Sequence, residues 1–450
     1  KPQDRNKHNQ DSHMSRFVRA SKVRHLFCQP DKKEETFYGL DLATTTGDHN
    51  YIKANSKFFA TATRSGGGGA MVVCPLSKIG KFDNKMPKII GHTGAIFDCD
   101  FNPFHEQLLA TGSDDCSAKV WGIPDGGLTE NLREPLVDLN NHMKKVTFTS
   151  FHPCANNVLA TGSADHTVKL WDIDSGEEKC TINCTDNLQD MQWSYAGDRI
   201  AVSCKNKTMQ IFDPRTDTVV QECKPHEGSK CFNVCWLGSS NNIATVGFTR
   251  QSKRQFMIWD SRDLTKQIHT ESLDQSAGVI MPFYDEDSKV LYLAGKGDGN
   301  IRFYEMIPEK PHTFSLSEYR GSGSQKGMCF IPKRHCDTKK CEVMRGLKLT
   351  SKTVEPLSFI IPRKSDRFQA DIYPDTKAGV PALEADAYFG GASDFTPKLV
   401  SMDPKNKGAE GETKQSMPTA VKSKVTLQKE LDAALAKIVE LEAKVAALSK

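Results

Sequence analysis

No window of this 450-residue chain approaches the ~18–20 consecutive apolar residues that a membrane span needs, so no transmembrane segment is expected. The opening run, KPQDRNKHNQDSH, has no apolar stretch of the signal-peptide kind. Ser12-His13-Met14 reads as the scar of an expression tag, and residues 1–13 are set aside from fold reasoning. Neither sign of charge dominates: 60 lysines and arginines face 56 aspartates and glutamates, a formal net charge of +4. A dedicated nucleic-acid binder would carry a basic stripe, so no nucleic-acid partner is expected. Local basic clusters that meet an acidic protein partner are compatible with such a balance.

Metal knuckles and enzyme motifs are also missing. Among 14 cysteines there is no C-x-x-C pair; the closest are Cys180 with Cys184, Cys231 with Cys235, and Cys336 with Cys341. Zinc asks for tighter spacing and for histidines, so the thiols read as small buried hydrophobes of a reducing compartment, the cytoplasm. GKGDGN (Gly295 to Asn300) does not fit the phosphate loop G-x-x-x-x-G-K-[ST]. His105-Glu106 lacks the second histidine of H-E-x-x-H, and no helix follows RSGGGGA (Arg64 to Ala70) to make a nucleotide cradle. The reading is a non-enzyme without metal or cofactor. Hydrophobic residues are only 38 % of the chain, so part of its length lies outside any core. The length exceeds the ~250–300 residues that one core supports, which implies a large modular domain with appendages.

What is present is a repeat. LLATGSDDCSAKVW (Leu108 to Trp121) recurs as VLATGSADHTVKLWD (Val158 to Asp172), each after an apolar strand ending in aromatic-x-Pro. The frame continues as RIAVSCKNKTMQIFD (Arg199 to Asp213), QFMIWD (Gln255 to Asp260) and LYLAGKGDGNIRFYE (Leu291 to Glu305). The aligned aromatics Trp121, Trp171, Phe212, Trp259 and Tyr304 are 50, 41, 47 and 45 residues apart. A period of ~40–45 residues with short alternating strands and a terminal Trp-Asp is the WD40 signature. KFFATATRSGGGGAMVVCPL (Lys57 to Leu76) and the stretch from Lys326 to Lys364 supply two degenerate units. Seven blades close a ring, so the expected fold is all-β, a seven-bladed WD40 β-propeller over residues 14–362. An unpaired edge would invite aggregation, and VRHLFC (Val23 to Cys28) is expected to pair with the last blade and latch the ring.

Two blades place polar residues where a buried hydrogen-bond network is expected: His92, Thr111, Asp115 and Trp121, then His142, Thr161, Asp165 and Trp171. A carboxylate that orients a histidine, which meets a hydroxyl and an indole N–H, satisfies groups otherwise costly to bury. Such a set resembles a hydrolase triad in composition. Its repetition in successive blades argues for structure, because an active site needs only one copy.

After Arg363 the strand pattern stops. Residues 363–404 mix aromatics with Pro and Gly and read as an extension packed on the propeller. Residues 405–424 have the composition of a disordered linker. From Val425 to residue 450 the chain is rich in Ala, Leu, Glu and Lys. Leu431, Ile438 and Val445 recur at seven-residue spacing, as do Leu427, Ala434, Leu441 and Leu448, an a/d seam of about three heptads. A short coiled coil that makes a homo-oligomer is expected; an amphipathic helix docked on the propeller is the alternative.

Several stretches outside the repeat frame narrow the family. SKVRHLFCQP (Ser21 to Pro30), SGGGGAMVVCPLSKIGK (Ser65 to Lys81), KGMCFIPKR (Lys326 to Arg334), IPRKSDRFQADIYPDT (Ile361 to Thr376) and PALEADAYFGG (Pro381 to Gly391) resemble coronin segment by segment. The likeness runs from Met14 to about Pro404. It implies a protein that binds filamentous actin, localises to the cytoplasm, cytoskeleton and cell cortex, and oligomerises through its C-terminal coiled coil. It also implies an actin-branching complex as a further partner. Lys437-Ile438-x-x-Leu441-Glu442 resembles the family's trimerisation motif, with Lys where that motif begins with Arg. Lys lacks the bidentate fork, so dimer, trimer and antiparallel forms all stay open. A basic residue that family members often carry near the Gln-Pro turn aligns here with Asp41. Actin contact is then expected from Arg24, Lys32, Lys33, Lys352, Arg363, Lys364 and Arg367, near the closing seam or the extension. The competing reading is a WD-repeat scaffold in trafficking or signalling that does not touch actin.

Overall fold

The computed structural model describes residues 19–43, 50–64, 68–83, 85–365 and 367–406, together with Lys437, which is helical and exposed. The heptad positions Leu427, Leu431, Ala434, Ile438, Leu441, Val445 and Leu448, and nearly all of the linker, lie outside the described residues.

Seven antiparallel sheets follow one another along the chain and close a seven-bladed ring. Blade 1 holds Ile52–Ala54, Phe58–Thr63 and Ala70–Pro75, with Ile89 bridged to Met71 on its outer side. Blades 2 to 6 each have four strands: blade 2 runs from Ile96 to Leu139, blade 3 from Val146 to Asn183, blade 4 from Leu188 to Cys223, blade 5 from Asn233 to Asp274, and blade 6 from Ile280 to Arg320. Blade 7 contributes Gly327–Phe330, Glu342–Leu349 and Thr353–Ile360.

The second strands LLATGS and VLATGS are buried at every position, and those of the other blades at every position but one at most. Each lies between two neighbouring blades, so both of its faces are covered and small or β-branched residues fill it. The outer strand of blade 4, Thr218–Cys223, is mostly exposed, Val219 and Val220 included. The core is therefore a set of wedges between blades. Leu108, Val120, Leu159 and Trp171 fill the wedge between blades 2 and 3, and Tyr292, Phe303, Val343 and Phe359 fill that between blades 6 and 7.

The ring closes through the N-terminal segment. Phe27–Pro30 pairs antiparallel with the last strand, Phe27 opposite Ile360 and Pro30 opposite Leu357. Phe37–Tyr38 pairs with the other end of the same strand and, in parallel, with Gly80–Lys81 from blade 1. The latch begins four residues later than the expected Val23. Val23 to Leu26 forms a turn, with Leu26 N–H donating to Val23 O at 2.9 Å, and Val23 and Leu26 plug the blade 6–7 wedge instead of pairing.

The end at which each blade's second strand turns into its third is called the upper face here, and the opposite end the lower face. Residues 367–406 cross the lower face. The Tyr373 hydroxyl donates to Glu342 O at 3.0 Å on blade 7, Lys377 Nζ donates to Tyr195 O at 2.8 Å on blade 4, and Ala382 N–H donates to Cys154 O at 2.8 Å on blade 3. A short helix, Ala385–Phe389, seats Tyr388 on the edge of His152, ring centroids 4.6 Å apart. The Arg215 guanidinium stacks over Tyr388 and Phe395 and donates to Ala392 O at 2.8 Å. The chain then returns: Leu399–Val400 pairs with Thr376–Lys377, and Met402 is buried in the blade 6–7 wedge.

Candidate functional site

The polar set of the WD repeats converges in space. In blade 2, His92 Nδ1 lies 2.9 Å from Asp115 Oδ2, His92 Nε2 lies 2.7 Å from Thr111 Oγ1, and Trp121 Nε1–H donates to Thr111 Oγ1 at 2.8 Å. In blade 3 the matching distances are 3.0, 2.7 and 2.7 Å for His142–Asp165, His142–Thr161 and Trp171–Thr161. A carboxylate only accepts, so Nδ1 carries the imidazole proton and Nε2 accepts from the threonine hydroxyl. Every buried donor and acceptor in the relay is used. Asp115 and Asp165 also accept the backbone N–H of Thr93 and Met143, both at 2.9 Å, which fixes the loop that enters each blade.

A third copy escaped sequence reading. His226 Nε2 is 3.0 Å from Thr245 Oγ1, Trp259 Nε1–H donates to the same oxygen at 3.0 Å, and Gln255 Nε2 lies 3.2 Å from His226 Nδ1. An amide N–H faces Nδ1 here, so this ring carries its proton on Nε2 instead. The His-to-Thr separation of 19 residues is common to all three blades, and it was the available signal. Blade 5 hides it by putting glutamine for aspartate and 14 residues instead of 10 between threonine and tryptophan.

Burial alone would raise the Asp165 carboxyl, but hydrogen bonds from Thr167, Met143 N–H and His142 hold it down to about 2. A depressed carboxylate contributes stability that is present above its ordinary value near 3.9 and is lost as pH falls through the folded value. The Asp165→Ala variant is expected to lose about 1–3 kcal/mol, because His142 and Met143 N–H are left unpartnered. Urea titration at pH 7 checks this, and parent and variant should converge as the pH falls from 4 towards 2. Identical midpoints at pH 7 would remove the network from the stability account.

The seven basic residues nominated for partner contact do not form one patch. Lys352 sits on the upper face, at the turn that opens the strand Thr353–Ile360. Arg24, Lys364 and Arg367 are exposed at the lower end of that strand, eight residues or roughly 25 Å away. Half-buried Arg363 is committed to Asp371, at 2.8 Å, and to Lys22 O. Lys32 and Lys33 are exposed on the outer edge, between the two latch strands. Nearness in sequence to the seam separated these residues along a strand instead of gathering them. Asp41 is exposed on the upper side of blade 1, where its carboxylate lies 3.8 Å from Arg64 Nε. A neighbouring cation therefore accompanies the negative charge.

Inside the ring, carboxylates on inner strands tie blade 2 to blade 3 and blade 4 to blade 5. Asp98 accepts from Thr149 N–H at 3.0 Å, Asp100 from Phe151 N–H at 2.9 Å, and Asp190 from Val234 N–H at 2.8 Å. Burial pushes Asp98 up to about 7 against the pull of Lys53, and Asp190 up to about 6. A cavity of about 590 Å³ opens toward the lower face beneath these strands, lined in part by Lys53, Asp100, Trp193 and Lys377. Among the described residues, no group of three or more His, Cys, Asp or Glu could hold a metal ion. No helix among them is long and apolar enough to cross a membrane.

The chain is 45 % identical over 390 residues to Coronin-A of Dictyostelium discoideum, covering 86 % of this chain and 87 % of that protein. The chain belongs to the coronin family. A coronin-like protein of Saccharomyces cerevisiae is 38 % identical over 401 residues, 86 % of this chain and 61 % of the yeast protein. Family models match as a domain of unknown function at residues 16–81, as WD domain G-beta repeats at 84–122 and 133–172, and as a type of WD40 repeat at 354–394. The crystal structure of the WD40 domain of Toxoplasma gondii coronin superposes with a TM-score of 0.80 at 32 % identity, covering 85 % of this chain and 98 % of that one. A chain of the mitotic checkpoint complex, at TM-score 0.56 and 13 % identity, shares the fold alone. Coronin-family propellers of this kind are scaffolds, not enzymes, and the histidine relays accordingly hold blades together.

Proposed function

We propose that this coronin-family chain binds filamentous actin through its propeller and self-associates through its C-terminal heptads, so that one assembly bundles or crosslinks filaments. The observation that carries this reading is the asymmetry of the faces. The lower face is crossed by residues 367–406, whereas among the described residues no such segment crosses the upper face, which presents exposed cations such as Lys352 and Arg64. Actin presents an acidic surface, and opposite potentials steer encounter and fix register. Residues 405–424 serve as the linker and 425–450 as the coiled coil of this scheme. The working place is the cytoplasmic actin cytoskeleton, including the cell cortex, with a branching complex as a further partner of the tail.

High-speed co-sedimentation with actin filaments tests the reading. Affinity is expected to fall by about ten-fold or more between low and high salt, because exposed charge pairs are screened within ~8 Å at physiological ionic strength. A propeller that never sediments with filaments at low salt would sink it.

A further inference from the structure

Six cations that are scattered over some fifty positions of sequence come together on one arc of the upper face. The turn between the second and third strands of blade 4 supplies Lys205 and Lys207, the connection from blade 4 to blade 5 supplies Lys224 and Lys230, and the corresponding turn of blade 5 supplies Arg250 and Lys253. All but Lys207, which is half-buried, are exposed.

The three loops are tied to one another, so the charges are held as a set. Lys207 Nζ donates to Glu227 O at 2.8 Å, Gly228 N–H donates to Phe248 O at 2.9 Å, and Lys230 Nζ lies 4.7 Å over the Phe248 ring and donates to Ala277 O at 2.8 Å. Glu227 is the single acidic side chain in these loops. The same turns and connections on blades 2 and 3 carry Asp114, Asp115 and Asp165 against Lys144 and Lys145. The upper face is therefore electrically uneven, near neutral or acidic over blades 2 and 3 and strongly basic over blades 4 and 5.

Two further facts describe this arc. Some cations elsewhere on the ring are matched, Lys119 with Asp138 at 2.7 Å, Lys169 with Glu178 at 2.8 Å and Arg262 with Asp260 at 2.7 Å, whereas others, such as Lys144, Lys145 and Lys352, stand as single exposed charges. Lys205, Lys224, Arg250 and Lys253 have no such ion pair among the described residues. Nor does the fold demand cations there. The left-handed turn position occupied by Lys207, φ 70°, is filled by Cys116 in blade 2 and His166 in blade 3, with φ 65° and 70°. Unmatched charge of one sign on a rigid rim raises a local potential, and such fields recruit an acidic partner.

We propose that this arc is the surface that meets the acidic filament, which therefore lies over blades 4 and 5 and away from the closing seam. The assignment rests on the filament-binding reading above and adds the contact face to it. A protein partner is favoured over the other polyanions. The arc exposes no aromatic side chain on which bases could stack, and no apolar side chain to enter a lipid interface.

The test uses the full chain with Lys205→Glu and Lys253→Glu together, compared with Lys144→Glu and Lys145→Glu together on blade 3's entry loop. Both pairs are exposed, so melting curves matching the parent are expected, and the milder pair Lys224→Gln and Arg250→Gln stands by if reversal disturbs the turns. Filament co-sedimentation at low salt should weaken about ten-fold for the arc pair and stay within about two-fold for the blade 3 pair, with the gap narrowing as salt rises. A parent that binds while the arc pair follows the same curve would overturn the arc and leave the filament reading standing. Equal losses in both pairs would do the same. An arc pair that loses anionic vesicles or duplex DNA but keeps filaments would give the arc to another class of partner and overturn the assignment. A parent that does not sediment at all would overturn the filament reading and the arc with it.

Discussion

Trp171→Ala is expected to cost about 3–5 kcal/mol of ring stability, more than any other single truncation proposed for the chain. The indole is 1 % exposed and fills the wedge between blades 2 and 3 together with Leu108, Val120 and Leu159. Its removal leaves a void that rigid sheets on both sides cannot close, and the Thr161 hydroxyl loses the N–H donor held at 2.7 Å. The relay behind it, Thr161 to His142 to Asp165, then has one end unsatisfied. A shift of the urea midpoint at unchanged slope would report this cost. A midpoint within error of the parent would mean that the wedge relaxes around the gap. Trp259→Ala should be milder, since that ring is 7 % exposed and its relay lacks the carboxylate.

Truncation after residue 404 is expected to abolish bundling while sparing weak attachment to single filaments. Linked modules can exceed single-site affinity by ~10²–10⁴, and that whole factor is lost when the link is cut. Low-speed sedimentation, which pellets only bundles, should drop to background for the truncated chain, while high-speed sedimentation at high protein concentration still shows binding. Light scattering that finds the same mass for truncated and full-length protein would refute the heptads as the oligomerising element. The lower-face contacts of Tyr388, Phe395 and Met402 are retained in this truncation, so the ring itself should melt unchanged.

The fold was legible because a propeller writes its period into the chain. Each Thr-Gly-Ser second strand and each Trp-Asp end is dictated by burial between two blades, and the burial is local to the repeat. The latch was legible in kind and misplaced by four residues, since Val23 and Leu26 look as strand-like as Phe27 although their side chains are used as plugs. The third histidine relay was missed because His226 Nδ1 faces the Gln255 amide and no aspartate, and because its threonine and tryptophan are 14 residues apart instead of 10. The proposed contact face was the least legible. The reading from sequence favoured Lys32, Lys33, Lys352 and Arg363 because each lies near the closing seam or the extension, and the strand Thr353–Ile360 sets Lys352 and Arg363 at opposite ends of a blade. Lys205, Lys230 and Lys253 share no sequence neighbourhood at all and meet only because the blades turn about an axis.

Closure by the N-terminal strand also sets a schedule for synthesis. Phe27–Pro30 leaves the ribosome first and finds its partner strand only when Ile360 follows, roughly 330 residues later. At ~5–20 residues per second that is a wait of about 15–65 seconds, whereas a hairpin within a finished blade forms in ~1–10 μs. Six blades can therefore assemble while the ring still gapes and the blade 1 edge stands uncovered. The waiting strand is only four residues long, half of it Gln-Pro, and proline supplies no donor to a stray partner. A nascent chain stalled before residue 353 should accordingly be far more open to proteases and chaperones than one released whole.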